Sequence, residues 1–205
     1  MPGQEGLTGV VLAGGNGLRM GGNKARLRVG GETCLARAMR VLARFCQEVV
    51  VTTSEALPLE PPPPARQVED LYPGRGPLAG IHAGLAVARH PRCLVVACDM
   101  PFLRPELVEL LLARAKGEEA VVCQIRGYLE PFPGVYPRGL GAHMERALRE
   151  GKLGVQDLLR RVPLELIPEP HVRQVDPRLQ SFINLNSPAD LARLEIHTDL
   201  EPASG

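Results

Sequence analysis

The feature that most constrains the fold is a short apolar segment followed at once by a glycine-rich, cationic loop. Val10–Ala13 is predicted to be a β-strand, and the loop after it carries Arg19, Lys24 and glycines at positions 14, 15, 17, 21 and 22. Glycines let backbone N–H groups approach phosphate oxygens closely, and nearby cations neutralise the phosphate charge. Because this combination stands at a strand terminus, it favours a phosphate-binding loop of an α/β domain over a flexible turn.

Two common phosphate-binding patterns do not fit this loop. A Walker A loop requires a hydroxyl residue directly after its lysine, but Lys24 is followed by Ala25. The dinucleotide-binding pattern G-x-G-x-x-G fits at Gly15 and Gly17, but Met20 occupies the third glycine position, where a helix must pack closely on the strand. The sequence therefore predicts a phosphate-binding loop of another kind.

Strand-like and helix-like segments alternate along most of the chain. This alternation predicts a doubly wound α/β fold, a single mostly parallel sheet with helices on both faces. The other predicted strands are Glu48–Thr53, Arg66–Val68, Cys93–Cys98, Glu119–Ile125, Phe132–Tyr136 and Leu164–Ile167. The predicted helices are Cys34–Arg44 (N-cap Thr33), Pro77–Arg89, Leu103–Lys116, Leu140–Arg149, Val155–Arg161 and Ser187–Ile196. The proline-rich segment Leu57–Pro64 is predicted to be a loop.

Composition excludes several classes of function. The chain has 205 residues and a net charge of +1, which does not provide the excess of cations that a nucleic-acid surface needs. Aromatic residues make up 3% and tryptophan is absent, so stacking platforms for single strands are not expected. The chain shows neither a secretory signal nor an apolar run of the ~18 residues that a membrane helix needs. Five cysteines without a C-x-x-C pair predict reduced thiols and a cytoplasmic protein.

Two aspartates follow predicted strands of the sheet. Asp99 comes after the apolar run Cys93–Cys98, and Asp70 comes after the strand around Val68. Ligands of open parallel sheets bind at the carboxyl ends of the strands, so we expect both carboxylates to meet the first loop in one crevice. Asp99 suits Mg²⁺, which binds through one or two carboxylates and substrate phosphates. The alternatives are that Asp99 is a helix N-cap, Asp70 a turn residue and Lys24 a solvated surface lysine.

Five motifs in order make the chain resemble the molybdenum cofactor guanylyltransferase family. They are L-A-G-G-x-x-x-R-M-G-x-x-K from Leu12, VED at Val68–Asp70, GPLAGIHAGL at Gly76–Leu85, ACDMPFL at Ala97–Leu103 and NLNSPADL at Asn184–Leu191. The resemblance covers about residues 7–195. It implies a Rossmann-like nucleotidyltransferase that uses Mg²⁺ and transfers GMP from GTP to the terminal phosphate of molybdopterin, releasing pyrophosphate. It also makes transient contacts with other proteins of the pathway plausible.

The resemblance also implies roles for individual residues. Arg19, Lys24 and Asp99 would be catalytic, with Asp99 as the metal ligand. The acceptor-binding residues would be Asn184 and Asn186, whose alternative role is an Asx-rich turn before the last helix. The nucleotide-binding residues would be Leu12, Ala13, Gly14, Gly15, Lys24, Thr52, Asp70, Pro77, Leu78, Ala79, Gly80 and Asp99. A single domain over 1–205 would then comprise a nucleotide-binding part at about 7–103, an acceptor-binding part at about 104–196 and a polar tail at 197–205.

Some positions depart from the family pattern. Thr52 stands where the family has a nucleoside-contacting asparagine, and Asn23 precedes the loop lysine where aspartate is frequent. Lys152 is the one cation of Gly151–Leu159, where many family members carry adjacent arginines. The weakly cationic segment Gly151–Leu159 keeps open a cytidylyl- or sugar-phosphate nucleotidyltransferase with another base or acceptor. A second alternative is a non-catalytic GTP-binding partner protein, against which Arg19, Lys24 and Asp99 argue.

Overall fold

The computed structural model describes residues 6–14, 27–54, 65–185 and 190. Its strands are β1 (Leu7–Leu12), β2 (Arg28–Val29), β3 (Glu32–Thr33), β4 (Glu48–Thr53), β5 (Ala65–Glu69), β6 (Arg92–Ala97), β7 (Ala120–Ile125), β8 (Tyr128–Pro137) and β9 (Leu164–Pro168). Its α-helices are α1 (Cys34–Leu42), α2 (Pro77–Val87), α3 (Pro105–Arg114), α4 (Gly141–Arg149), α5 (Val155–Leu159) and α6 (Glu169–Val175). Within these ranges no helix is long and apolar enough to cross a membrane.

Seven of the strands form one sheet in the order β5-β4-β1-β6-β8-β7-β9. β1 pairs in parallel with β4 and β6, β4 pairs in parallel with β5, and β7 pairs in parallel with β9. β8 runs antiparallel to both of its neighbours. β2 and β3 form a separate two-stranded hairpin. The predicted mostly parallel sheet is therefore confirmed, with one reversed strand inserted beside β6.

Side chains alternate between two cores on opposite faces of the sheet. On β1, Val11 belongs to the core that also contains residues of α1, α3 and α6, whereas Val10 belongs to the core with residues of α2, α4 and α5. The same alternation continues on β6, where Val96 lies in the first core and Val95 in the second. Central strands covered on both faces need apolar residues at every position, which explains the continuous apolar runs in the sequence.

Most predicted elements are present, with shifted ends. Thr33 caps α1 as predicted, because its Oγ1 accepts a hydrogen bond from the Ala36 N–H at 3.1 Å. The helix predicted to end at Arg89 ends at Val87, because Ala88 leaves the helical region with ψ 136°. The hairpin β2–β3 and helix α6 were not predicted, and β8 is longer than the predicted strand Phe132–Tyr136. The predicted loop Leu57–Pro64 and all but Asp190 of the predicted helix Ser187–Ile196 lie outside the described residues.

Candidate active site

Four elements converge on Gly80 at the carboxyl edge of the sheet. Gly80 lies in the first turn and a half of α2, where a β-carbon would stand 3.1 Å from both Leu12 Cδ2 and Thr52 Oγ1. The same β-carbon would stand 3.7 Å from Asp70 Oδ1. β1, β4 and the residue after β5 therefore meet α2 at one point, and glycine keeps that point open. Sequence reasoning named all four residues for nucleotide binding, and the structure brings them together.

Two buried oxygens at this point have no hydrogen-bond partner among the described residues. They are Thr52 Oγ1 and Asp70 Oδ1. Burial raises the pKa of Asp70 to about 6. A buried polar atom without a partner is costly, and proteins keep such atoms chiefly where an external group completes the bonding. Thr52 and Asp70 therefore form an acceptor pair suited to the hydroxyl or N–H donors of a small ligand.

Asp99 lies at the same edge, two residues after the end of β6. The Cys98 N–H donates to the Leu12 carbonyl at 3.0 Å, which joins the end of β6 to the end of β1. Asp99 is not an N-cap of α3, because Arg104 occupies that position and donates its N–H to Ser181 Oγ. Leu185 N–H donates to the Asp99 carbonyl at 2.9 Å. This bond brings the exposed Asn184, a predicted acceptor-binding residue, next to Asp99.

Gly15, Arg19, Lys24 and Asn186 lie outside the described residues. The chain on either side of the first loop is described. Gly14 is exposed at the carboxyl end of β1, and the carbonyl of Leu27 accepts the Cys34 N–H at 2.7 Å.

The return point of this loop lies near Asp99. Cys34 packs in a small apolar cluster with Val29 and Leu185, and Leu27 packs against that cluster. Burial raises the pKa of the Cys34 thiol, and the charge of Asp99 raises it further. The loop that carries Arg19 and Lys24 therefore starts and ends at the edge that carries Asp99.

Several predicted nucleotide-binding residues have side chains committed to the core. Leu12, Ala13, Leu78 and Ala79 are buried in the two apolar cores. The Ala13 N–H is bound to the Thr52 carbonyl at 2.8 Å. Any contact of these residues with a ligand must therefore use the remaining backbone groups. Pro77 cannot donate a backbone hydrogen bond, so its part is to start α2.

The carboxylate at this edge fits a metal ion whose coordination is completed by substrate phosphates. Within the described residues, no group of three or more His, Cys, Asp or Glu side chains is placed to hold a metal ion. Mg²⁺ does not need such a group, because it keeps several waters and binds through one or two carboxylates plus phosphates. Asp99 is the carboxylate at this edge that lies beside the phosphate-loop anchor.

A polar network supports the loop that follows Asp70. Tyr72 Oη donates to Glu145 Oε1 of α4 at 3.4 Å, and Arg149 Nη2 contacts the same oxygen at 2.6 Å. The Tyr72 ring meets the His82 ring edge-on, with 5.5 Å between centroids. Burial lowers the pKa of His82, with the Glu145 charge opposing it. His82 thus packs from α2 against this loop. Its side chain is buried, and its Nδ1 has no hydrogen-bond partner among the described residues.

The sequence analysis did not predict a pocket that lies at this edge of the sheet. A pocket beside Asp99 is bounded by the end of β6, by the middle of β8 and by the segment around Asn184. The available signal was the run E-P-F-P-G at positions 130–134, because prolines and glycine inside a strand indicate an interruption of its pairing. The residues that line this pocket are Ala97, Met100, Glu130, Pro131, Phe132, Phe182 and Asn184.

Comparisons with known proteins agree with this architecture. The profile of the MobA-like NTP transferase domain matches residues 9–166. A probable molybdenum cofactor guanylyltransferase of Pelotomaculum thermopropionicum is 38% identical over 192 residues, which cover 92% of each chain. The crystal structure of molybdopterin-guanine dinucleotide biosynthesis protein A from Archaeoglobus fulgidus has a TM-score of 0.76 and 29% identity, covering 94% of this chain and 100% of that chain. The 2-C-methyl-D-erythritol 4-phosphate cytidylyltransferase of Thermus thermophilus shares the fold, with a TM-score of 0.67, 23% identity and coverage of 93% and 98%.

Proposed function

Because the chain belongs to the MobA-like NTP transferase family, we propose that it transfers GMP from GTP to the terminal phosphate of molybdopterin. The products would be the guanine dinucleotide form of the cofactor and pyrophosphate. The relatives named as molybdenum cofactor guanylyltransferases support this choice of substrates. Its five cysteines form no disulfide bond, which supports a cytoplasmic place of action.

The proposal rests mainly on one observation: the Thr52–Asp70 pair and the Asp99 carboxylate lie at the same carboxyl edge of the sheet. The unpartnered oxygens of Thr52 and Asp70 offer acceptors for a nucleoside. Asp99 stands across the end of β1 from them, joined to it by the bond from Cys98 to Leu12. A nucleoside triphosphate bound at this edge would have its nucleoside against Thr52 and Asp70 and its phosphates towards Asp99. With this arrangement, the nucleotide-binding part of the chain would be at about 7–103 and the acceptor-binding part at about 104–196.

The reaction needs no nucleophile from the protein, because the acceptor phosphate attacks the α-phosphorus of GTP. The bond from that phosphorus to the β-phosphate oxygen breaks, and pyrophosphate leaves. Asp99 would hold Mg²⁺, which when bound neutralises charge on the triphosphate and its leaving group. Arg19 and Lys24 would bind the phosphates and neutralise their charge. By analogy with other preorganised donors, loss of one clamp costs about 2–4 kcal/mol in the transition state.

Two side chains of the C-terminal segment would position the acceptor. Asn184 precedes Leu185, whose N–H donates to the Asp99 carbonyl, and it would donate amide hydrogens to the acceptor. Asn186 would be the second acceptor-binding residue. Lys152 is paired with Glu150 at 2.6 Å, so this cation is partly neutralised. That pair is the observation that favours the second candidate function, nucleotidyl transfer to a different small phosphorylated acceptor.

The test is a nucleotide and acceptor panel. Purified protein with Mg²⁺ is incubated with each of GTP, CTP, ATP and UTP, with and without molybdopterin, and pyrophosphate release is measured. We expect release with GTP and molybdopterin together. Release that requires CTP or a sugar phosphate would replace the proposed function by the second candidate. Tight GTP binding without turnover under any combination would replace it by a non-catalytic binding role.

A further inference from the structure

Strand β8 is interrupted beside the proposed acceptor site by a wide bulge. On β7 the neighbouring residues Val122 and Cys123 pair with Gly134 and Glu130 respectively. Pro131, Phe132 and Pro133 therefore have no counterpart on β7 and are extruded from the ladder. Bulges re-aim side chains and are frequent beside active sites. The extruded Pro131 and Phe132 line a pocket together with Ala97, the last residue of β6.

The conformation of the bulge is held by a buried hydrogen bond and by a close backbone approach. Tyr136 is fully buried, and its hydroxyl donates to the Pro131 carbonyl at 2.7 Å. A β-carbon on Gly134 would lie 2.8 Å from the same carbonyl and 2.9 Å from Tyr136 Cε2, so the fold-back requires glycine. These contacts show that the bulge is a specifically stabilised part of the fold and not a frayed end of the strand.

The bulge presents Glu130 to the pocket beside Asp99. Glu130 and Phe132 line this pocket together with Ala97 at the end of β6 and Asn184. Asn184 precedes Leu185, whose N–H binds the Asp99 carbonyl. The pocket is therefore contiguous with the edge where the acceptor phosphate must arrive. Phe182 and Met100 supply its remaining apolar walls.

The Glu130 side chain is half-buried and has neither an ion pair nor a hydrogen bond to the described residues. Burial raises its pKa above the ordinary value for glutamate. A partly desolvated carboxylate thus lines the same pocket as Phe132 and Phe182, and hydrogen-bond donors from a ligand would offset the cost of its burial. A flat heterocycle with two adjacent N–H groups matches a carboxylate, which accepts paired hydrogen bonds at its two oxygens.

We propose that Glu130 selects the acceptor by accepting paired hydrogen bonds from the amino-pyrimidinone edge of a pterin ring held against Phe132 and Phe182. This inference rests on the proposed function and names the part of the chain that recognises the acceptor. The negative charge of Glu130 also repels phosphate. It therefore orients the acceptor with its ring in the pocket and its phosphate towards Asp99 and the nucleotide.

The test measures ring binding without turnover. Binding of 6-hydroxymethylpterin, a pterin without phosphate, is followed by its fluorescence with the full chain and saturating GTP. Glu130→Gln keeps the size of the side chain but removes the charge and places an amide N–H₂ against the ring donors. We expect its Kd for the pterin to rise at least tenfold while its Kd for GTP stays within twofold. The control Glu118→Gln changes an exposed glutamate elsewhere and should leave both constants unchanged.

The outcomes separate this inference from the proposed function. Equal pterin affinity of Glu130→Gln and the unchanged protein would overturn the role of Glu130, as would no pterin binding by a protein that is active in GMP transfer. Absence of GMP transfer by the unchanged protein, whatever Glu130 does, would overturn the proposed function instead. A thermal melt of Glu130→Gln that matches or exceeds that of the unchanged protein confirms that the variant is folded.

Discussion

At the scale of single residues, the clearest functional signal is a polar atom that the fold leaves without a partner. Asp70 Oδ1 and Thr52 Oγ1 are buried at the carboxyl edge of the sheet and lack partners among the described residues. By contrast, the buried Glu48 at the other edge receives hydrogen bonds from Thr8, Arg66 and Arg89. The Glu48 carboxylate, which stabilises the fold, thus has hydrogen-bond partners within the protein. The Asp70 carboxylate has an oxygen without such a partner at the place where a ligand is expected.

Asp70→Asn should stabilise the ligand-free protein and weaken GTP binding. Burial raises the pKa of Asp70 to about 6, so the folded state binds a proton more tightly than the unfolded state, and stability falls as pH rises from about 4 to about 6. Asparagine does not ionise, so the variant avoids this fall in stability. Its free energy of unfolding at pH 8 should exceed that of the unchanged protein by about 1–3 kcal/mol. Denaturant unfolding at pH 4 and pH 8 measures the difference.

The same variant should bind GTP roughly 10- to 100-fold more weakly, because a hydrogen bond to a charged group contributes about 1.5–3 kcal/mol. Isothermal titration with Mg-GTP measures this effect. Glu69→Gln changes the exposed neighbour and is the matched control, with unchanged affinity expected. An Asp70→Asn variant with unchanged affinity for GTP would remove Asp70 from the nucleotide site.

Asp99→Asn should lower turnover and leave the fold intact. The variant removes the carboxylate proposed to hold Mg²⁺ but preserves the backbone carbonyl that accepts the Leu185 N–H. A loss of about 2–4 kcal/mol of transition-state stabilisation corresponds to a rate roughly 30- to 1000-fold lower. Steady-state pyrophosphate release measures the rate, and circular dichroism checks the fold. A near-normal rate would show that Asp99 is not the metal ligand.

At the scale of elements, the sequence predicted the features that depend on interactions between residues close together in the chain. The cap Thr33, the proline start of α2 and the buried strand β6 all follow from side-chain chemistry within a few residues. The antiparallel insertion of β8 was not predictable in the same way, because its pairing with β6 and β7 is decided by distant contacts and its prolines hide the strand pattern. For the same reason the sequence predicted Asp70, Thr52 and Gly80 but missed Glu130, which the bulge alone brings to the site.

Thr33→Ala should destabilise the protein by about 1 kcal/mol, because it removes the oxygen that accepts the Ala36 N–H at the start of α1. The start of α1 also holds Cys34, whose N–H fixes the return point of the phosphate loop at Leu27. Urea unfolding measures the change. Thr33→Ser keeps the hydroxyl and should lose a few tenths of a kcal/mol at most; equal losses in both variants would show that the cap is unimportant.

At the scale of the whole molecule, the two edges of the sheet carry different tasks. The amino edge is held by Glu48, which joins β1 through Thr8, β5 through Arg66 and the loop after α2 through the Arg89 N–H. Burial alone would raise the pKa of Glu48, but these hydrogen bonds hold it below the ordinary value. The stability it contributes is therefore present at neutral pH and lost as pH falls through that lowered pKa.

Glu48→Gln should lower the free energy of unfolding by about 1–3 kcal/mol at pH 7, because a neutral amide cannot satisfy the same charged donors. Its affinity for GTP should stay within twofold, since the site lies at the opposite edge. Glu165→Gln breaks a partly exposed pair with Arg114 and should change stability by less than about 1 kcal/mol. Weakened GTP binding by Glu48→Gln in a folded protein would contradict the separation of the two edges.

The carboxyl edge is where GTP, a divalent ion and a phosphorylated pterin are proposed to meet, and the fate of the α-phosphate tests this account most directly. The protein is incubated with Mg²⁺, GTP labelled at the α-phosphorus and molybdopterin, and the labelled product is identified by chromatography and mass spectrometry. We predict that the label moves to the acceptor as GMP while unlabelled pyrophosphate is released. Label that remains in GTP, or that appears in GDP or free GMP regardless of the acceptor, would contradict it.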